Sequence, residues 1–151
     1  MTYHARPVPE SPIEHAMLDA LRRIAIEWGY SPVSTWDEVK HRWGDYIVVR
    51  PQATIGKFRV DFLVEFQLDA AHLKIVVECD GHQFHERTKT QASNDRKRDR
   101  VLQKLGYEVY RFTGRDVHKN ADDCARDVIE AVLSFQTKVV ESTYGADNGA
   151  H

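Results

Sequence analysis

The residues best suited to chemistry crowd together at 78–85, within the stretch 74–85 that reads K-I-V-V-E-C-D-G-H-Q-F-H. Ile75, Val76 and Val77 form an apolar run of the kind that lies covered inside a sheet. The run ends in Glu78, Cys79, Asp80, Gly81, His82 and His85. An unpaired charge is costly to bury, so two carboxylates at the end of a buried strand point to a use for them. Alternate residues of a strand share a face; Glu78 and Asp80 therefore point one way and Cys79 the other. Gly81 lets the chain turn sharply. The other reading of this stretch is a strand that has reached solvent, followed by a D-G turn.

A third carboxylate comes from the preceding strand. Residues 57–66 alternate, with Phe58, Val60, Phe62 and Val64 on one face and Arg59, Asp61, Leu63 and Glu65 on the other. Asp is disfavoured in mid-strand, and Leu63 beside it argues against a fully wet face. The connection 67–72 is short, so strands 57–66 and 73–80 are expected to be antiparallel neighbours, which brings Asp61 toward Glu78 if the register allows. With the backbone carbonyl of Cys79 between them, Asp61 and Glu78 would form a hard, oxygen-rich site of the sort that holds Mg²⁺. A metal there suits phosphodiester chemistry.

The elements that must position these groups follow from local signals. Residues 1–10 read as a flexible arm. Ser11-Pro12-Ile13-Glu14 starts a helix, with Ser as N-cap, Pro at the first helical position and Glu three residues after the cap. Ile13, Met17, Ala20, Leu21 and Ile24 give it an apolar face, and Gly29 can end it. Glu14 sits at the margin of that face, available to the cap or to a site. A short helix at Thr35-x-x-Glu38 and a strand at 46–50 follow, with a turn at 54–57 leading into the next strand. Ser93 is expected to cap a helix running to Leu105, placing Asp95 in its first turn, where a carboxylate is favourable on dipole grounds. A fourth strand at 107–112 and a last helix over 121–135, capped by Asn120, complete a single domain at 11–136. Residues 137–151 read as a disordered tail. The order predicts an α/β protein in which helices flank a mixed four-stranded sheet.

Composition narrows the class. Apolar content of 42% with 29% charged residues is that of a globular chain, and no apolar run approaches the roughly 20 residues that cross a bilayer. The first ten residues lack the apolar stretch of a signal peptide, so a cytoplasmic location is expected. Two cysteines, Cys79 and Cys124, are too few for a disulfide framework or a four-cysteine zinc site. The net charge of -2 is unevenly spread: residues 84–119 hold ten Lys/Arg and five Asp/Glu, a local +5. That basic stretch, with Arg96, Lys97, Arg98 and Arg100 at its centre, suits a polyanion; a solvated helix face is the alternative.

Taken together, the order αβββαβ, the V-D-F of the second strand, V-V-E-C-D-G-H-Q-F-H, and D-R-K-R-D-R-V-L-Q-K-L-G-Y-E-V-Y-R-F resemble the PD-(D/E)XK nuclease superfamily. More closely, they resemble its very-short-patch-repair endonuclease-like (Vsr-like) branch of small bacterial proteins. The resemblance covers about residues 11–133 and implies a restriction-endonuclease-like fold acting on DNA with Mg²⁺, or Mn²⁺ in its place. It implies metal binding by Asp61, Glu78 and the carbonyl of Cys79, with Glu14 drawn in from the first helix. It also implies that His85 acts as general acid or base and that Asp95 orients it. A homodimer would be needed for a clean double-strand break.

Two departures stand out. Asp80 occupies the place of the superfamily's lysine, which implies either a changed mechanism relying on His85 or a catalytically inactive nucleic-acid-binding module. The zinc site of the mismatch-repair members cannot be built from two cysteines. Cys79, His82 and His85 have zinc-type spacing, but Cys79 faces away from the carboxylates, so no zinc is expected. A third reading is a protein-interaction domain using the acidic surface.

Overall fold

The computed structural model describes residues 8–39, 45–80 and 88–145. Helix α1 (Pro12–Glu27) starts as its sequence predicts: Ser11 is the N-cap, Pro12 opens the first turn, and the Ser11 hydroxyl accepts from the Glu14 N–H at 3.2 Å. Gly29 ends it with φ +88°, a conformation that glycine adopts without Cβ strain. Strand β1 (Ser31–Val33) and a 3-10 turn (Trp36–Glu38) follow. Next come β2 (Tyr46–Ile55), β3 (Phe58–Leu68) and β4 (Ala71–Asp80), then α2 (Lys89–Lys104), β5 (Glu108–Thr113) and α3 (Gly114–Tyr144).

The sheet order is β1-β2-β3-β4-β5, with β2–β3 and β3–β4 antiparallel and the outer pairs β1–β2 and β4–β5 parallel. The α/β architecture is therefore as expected, with β1 added to the four strands anticipated. This edge strand carries Pro32, which offers no N–H to a ladder and is tolerated at a sheet edge. Helices α1 and α3 cover one face, burying Met17, Leu21, Ile24, Phe62, Phe66, Ile75, Val77, Val128 and Ile129. Helix α2 covers the other face through Leu102, packed with Val60, Leu63 and Val76. Each such buried side chain stabilises the fold by about 1.5–3 kcal/mol. Among the described residues, no helix is long and apolar enough to cross a membrane.

Three element boundaries differ from the sequence reading. Helix α2 begins at Lys89, capped by Thr88 in a reciprocal capping box with Gln91, rather than at Ser93. Asp95 therefore lies in the second turn, beyond the strongest reach of the helix dipole. Helix α3 begins at Gly114 and bends at Asn120, whose side chain accepts from the Asp123 N–H and so caps the second segment, as expected of it. That segment runs on to Tyr144, so the stretch expected to be a disordered tail from 137 is helical to 144.

The alternation of β3 also breaks. Phe58 and Val60 pack with Leu63 on the α2 face, whereas Phe62, Val64 and Phe66 face α1 and α3. The phase slips at Asp61. Directly across the β2–β3 ladder, between the pairs Pro51–Phe62 and Ala53–Val60, stands Gln52 with φ +49°.

Candidate active site

The β3–β4 ladder runs from Leu68–Ala71 to Phe62–Val77 and stops there. Beyond that point side chains replace backbone partners. The Cys79 N–H donates to Asp61 Oδ2 at 2.8 Å, and the Asp61 N–H donates to Glu78 Oε2 at 3.3 Å. The strands thus open into a fork, and the groups that satisfy its exposed backbone are the two carboxylates. The register that the sequence left undetermined does bring Asp61 and Glu78 together.

Glu78 and Asp80 face α2, and Cys79 packs against the opposite core, as strand alternation predicts. Arg98 on α2 reaches down to Glu78, its Nη2 2.7 Å from Oε1. The approach makes an ion pair without hydrogen-bond geometry: Glu78 Oε1 is buried and accepts no hydrogen bond, while the same Arg98 nitrogen donates to the Arg59 carbonyl at 2.5 Å. Burial raises both carboxyls above their ordinary range. For Asp61 the bond from the Cys79 N–H and the contact with Glu78 oppose that rise, and the charges of Glu14 and Asp80 add to it. For Glu78, burial and then the Asp61 charge push the carboxyl up to about 7, against the pull of Arg98 and Arg111.

Glu14 enters from the first turn of α1. It is 7% exposed and close enough to raise both Asp61 and the Cys79 thiol by charge repulsion. Its Oε2 accepts from the Ser11 hydroxyl at 2.8 Å, and its Oε1 from the Gln52 amide at 2.5 Å and the Glu10 N–H at 3.5 Å. Capping and site placement are therefore one arrangement.

Asp80 lies 3.3 Å from Arg111 Nη1, and Arg111 also grips Asp99 through two bonds of 2.7 and 2.8 Å. Arg111 is the parallel-ladder partner of Glu78 on β5. Sequence reasoning missed it, although an arginine inside Y-E-V-Y-R-F is as unexpected as an aspartate in mid-strand. Of the four basic residues expected to face a polyanion, Arg96, Lys97 and Arg100 are exposed, while Arg98 is turned in on Glu78. Asp95 is half-buried on α2. His85, with Gly81 and His82, lies outside the described residues.

Among the described residues, no three His, Cys, Asp or Glu side chains converge as a ready-made metal cage. What converges is half-buried Asp61 beside buried Glu78, with the buried Glu14 nearby and the Arg98 guanidinium on Glu78. Residues 37–132 match the model of the family REase_MTES_1575, a span that includes Asp61, Glu78, Asp80, Asp95 and Arg98 and begins after Glu14. No curated protein and no solved structure matches the chain significantly.

Proposed function

Because the chain belongs to REase_MTES_1575, a restriction-endonuclease-like family, we propose that it is a metal-dependent endonuclease hydrolysing DNA phosphodiester bonds, of the Vsr-like branch. The observation that carries this reading is the fork of half-buried Asp61 and buried Glu78, two carboxylates whose charge the fold disfavours. A structural role would be served by fewer charges or more donors.

The donor set fits a hard divalent cation. Mg²⁺ is held by one or two carboxylates and keeps several waters, so it does not require a protein cage of three. Glu78 Oε1 is buried and accepts no hydrogen bond, and its charge is met by the Arg98 guanidinium alone. Asp61 and Glu78, with the Cys79 carbonyl, are the groups we assign to the metal. When bound, Mg²⁺ or Mn²⁺ would stabilise the phosphoryl charge and lower the pKa of an attacking water. Zinc finds no thiolate there, since burial raises the Cys79 thiol and disfavours its ligating form.

The chain's own residues have distinct tasks in this reading. Deprotonated Asp61 and Glu78 supply negative charge at a fixed position. Arg98 balances Glu78 with a positive charge that Asp80 cannot supply. Arg111 neutralises Asp80 and Asp99, which keeps further negative charge away from the substrate. The exposed Arg96, Lys97 and Arg100 bind the DNA backbone. His85 remains our proposed general acid or base, with Asp95 to orient it. One domain carries one site, so a homodimer would produce a double-strand break and a monomer a nick. A cytoplasmic setting suits such a substrate.

A second reading, a nucleic-acid-binding module without turnover, is favoured by Asp80 at the lysine position and its engagement by Arg111. The deciding experiment is cleavage of supercoiled plasmid with Mg²⁺, Mn²⁺ or EDTA, comparing wild type with Asp61→Ala. Metal-dependent nicking that vanishes in the variant supports the nuclease. Intact plasmid in every lane, with a salt-sensitive gel shift from both proteins, gives the binding module its case.

A further inference from the structure

Gln52 has the least comfortable backbone near the site. Its φ of +49° is a conformation that favours glycine and disfavours a side chain with a Cβ. It stands opposite Asp61, at the gap in the β2–β3 pairing where the alternation of β3 slips. Its side chain is engaged at both the amide nitrogen and the amide oxygen. The amide nitrogen donates to Glu14 Oε1 at 2.5 Å, and the amide oxygen accepts from Arg59 Nε at 2.6 Å. Arg59 in turn pairs with Glu10, the residue whose N–H also reaches Glu14. A non-glycine residue held in a sparsely populated conformation persists where its surroundings over-determine it, and such residues cluster at functional sites. Gly would be easier for the backbone at position 52 but would leave the Glu14 oxygen without the amide.

We infer that Gln52 is a positioning residue of the site: its left-handed backbone aims the amide at Glu14 and holds that carboxylate beside Asp61. The inference rests on the metal site proposed above and deepens it. Glu14 is close enough to Asp61 to act on it through charge. A carboxylate in that position must keep its orientation. The Ser11 hydroxyl fixes one of its oxygens from the helix side, and Gln52 fixes the other from the sheet. Arg59 keeps the amide from flipping, because its N–H needs the amide oxygen and so leaves the NH₂ for Glu14.

The test exploits the opposed effects of strain and positioning. Gln52→Gly removes the strained Cβ together with the amide, and Gln52→Asn tolerates the left-handed backbone but presents its amide one methylene short. Mn²⁺ binding to the metal-free protein, followed by water-proton relaxation, and the Tm would be measured for wild type, both variants, Glu14→Gln and Asp61→Ala. We expect both Gln52 variants to bind Mn²⁺ about tenfold more weakly with Tm unchanged or raised. Adding Glu14→Gln to Gln52→Gly should cost little more, because the two act through one contact. A lowered Tm with unchanged Mn²⁺ affinity would overturn the inference, leaving Gln52 a tie between β2 and α1. Binding that is lost in Asp61→Ala but retained in Gln52→Gly overturns this inference alone. Absence of Mn²⁺ binding in wild type overturns the proposed metal site and this inference with it.

Discussion

Glu65 and Glu78 invite comparison, because they lie on adjacent strands, face the same side of the sheet and are almost equally buried, at 4% and 5% exposure. Their provision differs. Glu65 is surrounded by donors: Arg50 pairs with Oε1, and the Trp36 indole N–H at 3.2 Å and His72 Nε2 at 2.8 Å both meet Oε2. Glu78 faces another carboxylate, receives one long bond from the Asp61 N–H, and meets Arg98 at its other oxygen in an ion pair without hydrogen-bond geometry. Burial alone therefore does not mark a functional carboxylate. A buried acid with its full set of donors pins the 3-10 turn to the sheet, whereas a buried acid set against its own kind is stable only with a proton or a cation. The fold has arranged one of each about four residues apart along the strands.

The comparison is broken most directly by neutralising each member. Glu65→Gln should lower stability by about 2–3 kcal/mol, because it strips the charge from three donors at once, with Arg50 and His72 partly exposed and so partly able to find water. Nicking per folded molecule should survive. Glu78→Gln should do the reverse, holding or raising stability at neutral pH while reducing metal-dependent nicking on the order of 100-fold or more. Denaturant titration and plasmid nicking on both variants give the answer; equal behaviour would erase the distinction.

A smaller effect of the Glu78 arrangement shows in pH. The Glu78 carboxyl is carried up to about 7 by burial and by Asp61, and Asp61 shifts in the same direction. A carboxyl that holds its proton more tightly folded than unfolded contributes stability present below about 4.5 and lost as pH rises through about 7. The metal-free protein should therefore lose stability across that window, with Arg98 and Arg111 moderating the loss. Glu78→Gln should flatten the slope. Thermal melts between pH 4.5 and 8 in EDTA measure this directly. Nicking should rise with pH over the same range, because the protonated acid is a poor ligand.

Much of this site can be read from residue order. The apolar run 75–77, the alternation that sets Glu78 and Asp80 against Cys79, and the presence of an aspartate in mid-strand are signals that tertiary context did not override. The Ser11-Pro12-x-Glu14 start places Glu14 in the first turn. The capping box Thr88-x-x-Gln91 was equally legible, but the apolar contacts of α2 begin late, at Leu102, and drew the expected start toward Ser93. The left-handed Gln52 had no signal, since Gly or Asn would be the usual mark of that backbone. The slip it causes at Asp61 could not be foreseen from an unbroken alternation of apolar residues. The inward turn of Arg98 was within reach: it lies one helical turn before the buried Leu102, on the same side of α2.

The finest test is a comparison among four basic residues within residues 96–100, less than two turns of α2. Arg96, Lys97 and Arg100 are exposed, so each is free to displace a counterion from DNA, whereas Arg98 is committed to Glu78 and to the Arg59 carbonyl and stacks over the Phe58 ring at 5.8 Å. Counterion release makes log affinity fall with log salt by about one unit of slope for each phosphate contact. Replacing Arg96, Lys97 or Arg100 singly by Gln should therefore reduce the salt slope by about one each, with no change in the pH profile. Arg98→Gln should leave the slope nearly untouched and instead move the pH dependence upward, because Glu78 loses the cation that holds its carboxyl down. Fluorescence anisotropy with a short duplex across a salt series, paired with nicking across a pH series, separates the two behaviours. A slope change from Arg98→Gln equal to that of its neighbours would return Arg98 to the ordinary phosphate-binding face and leave Glu78 without a dedicated partner.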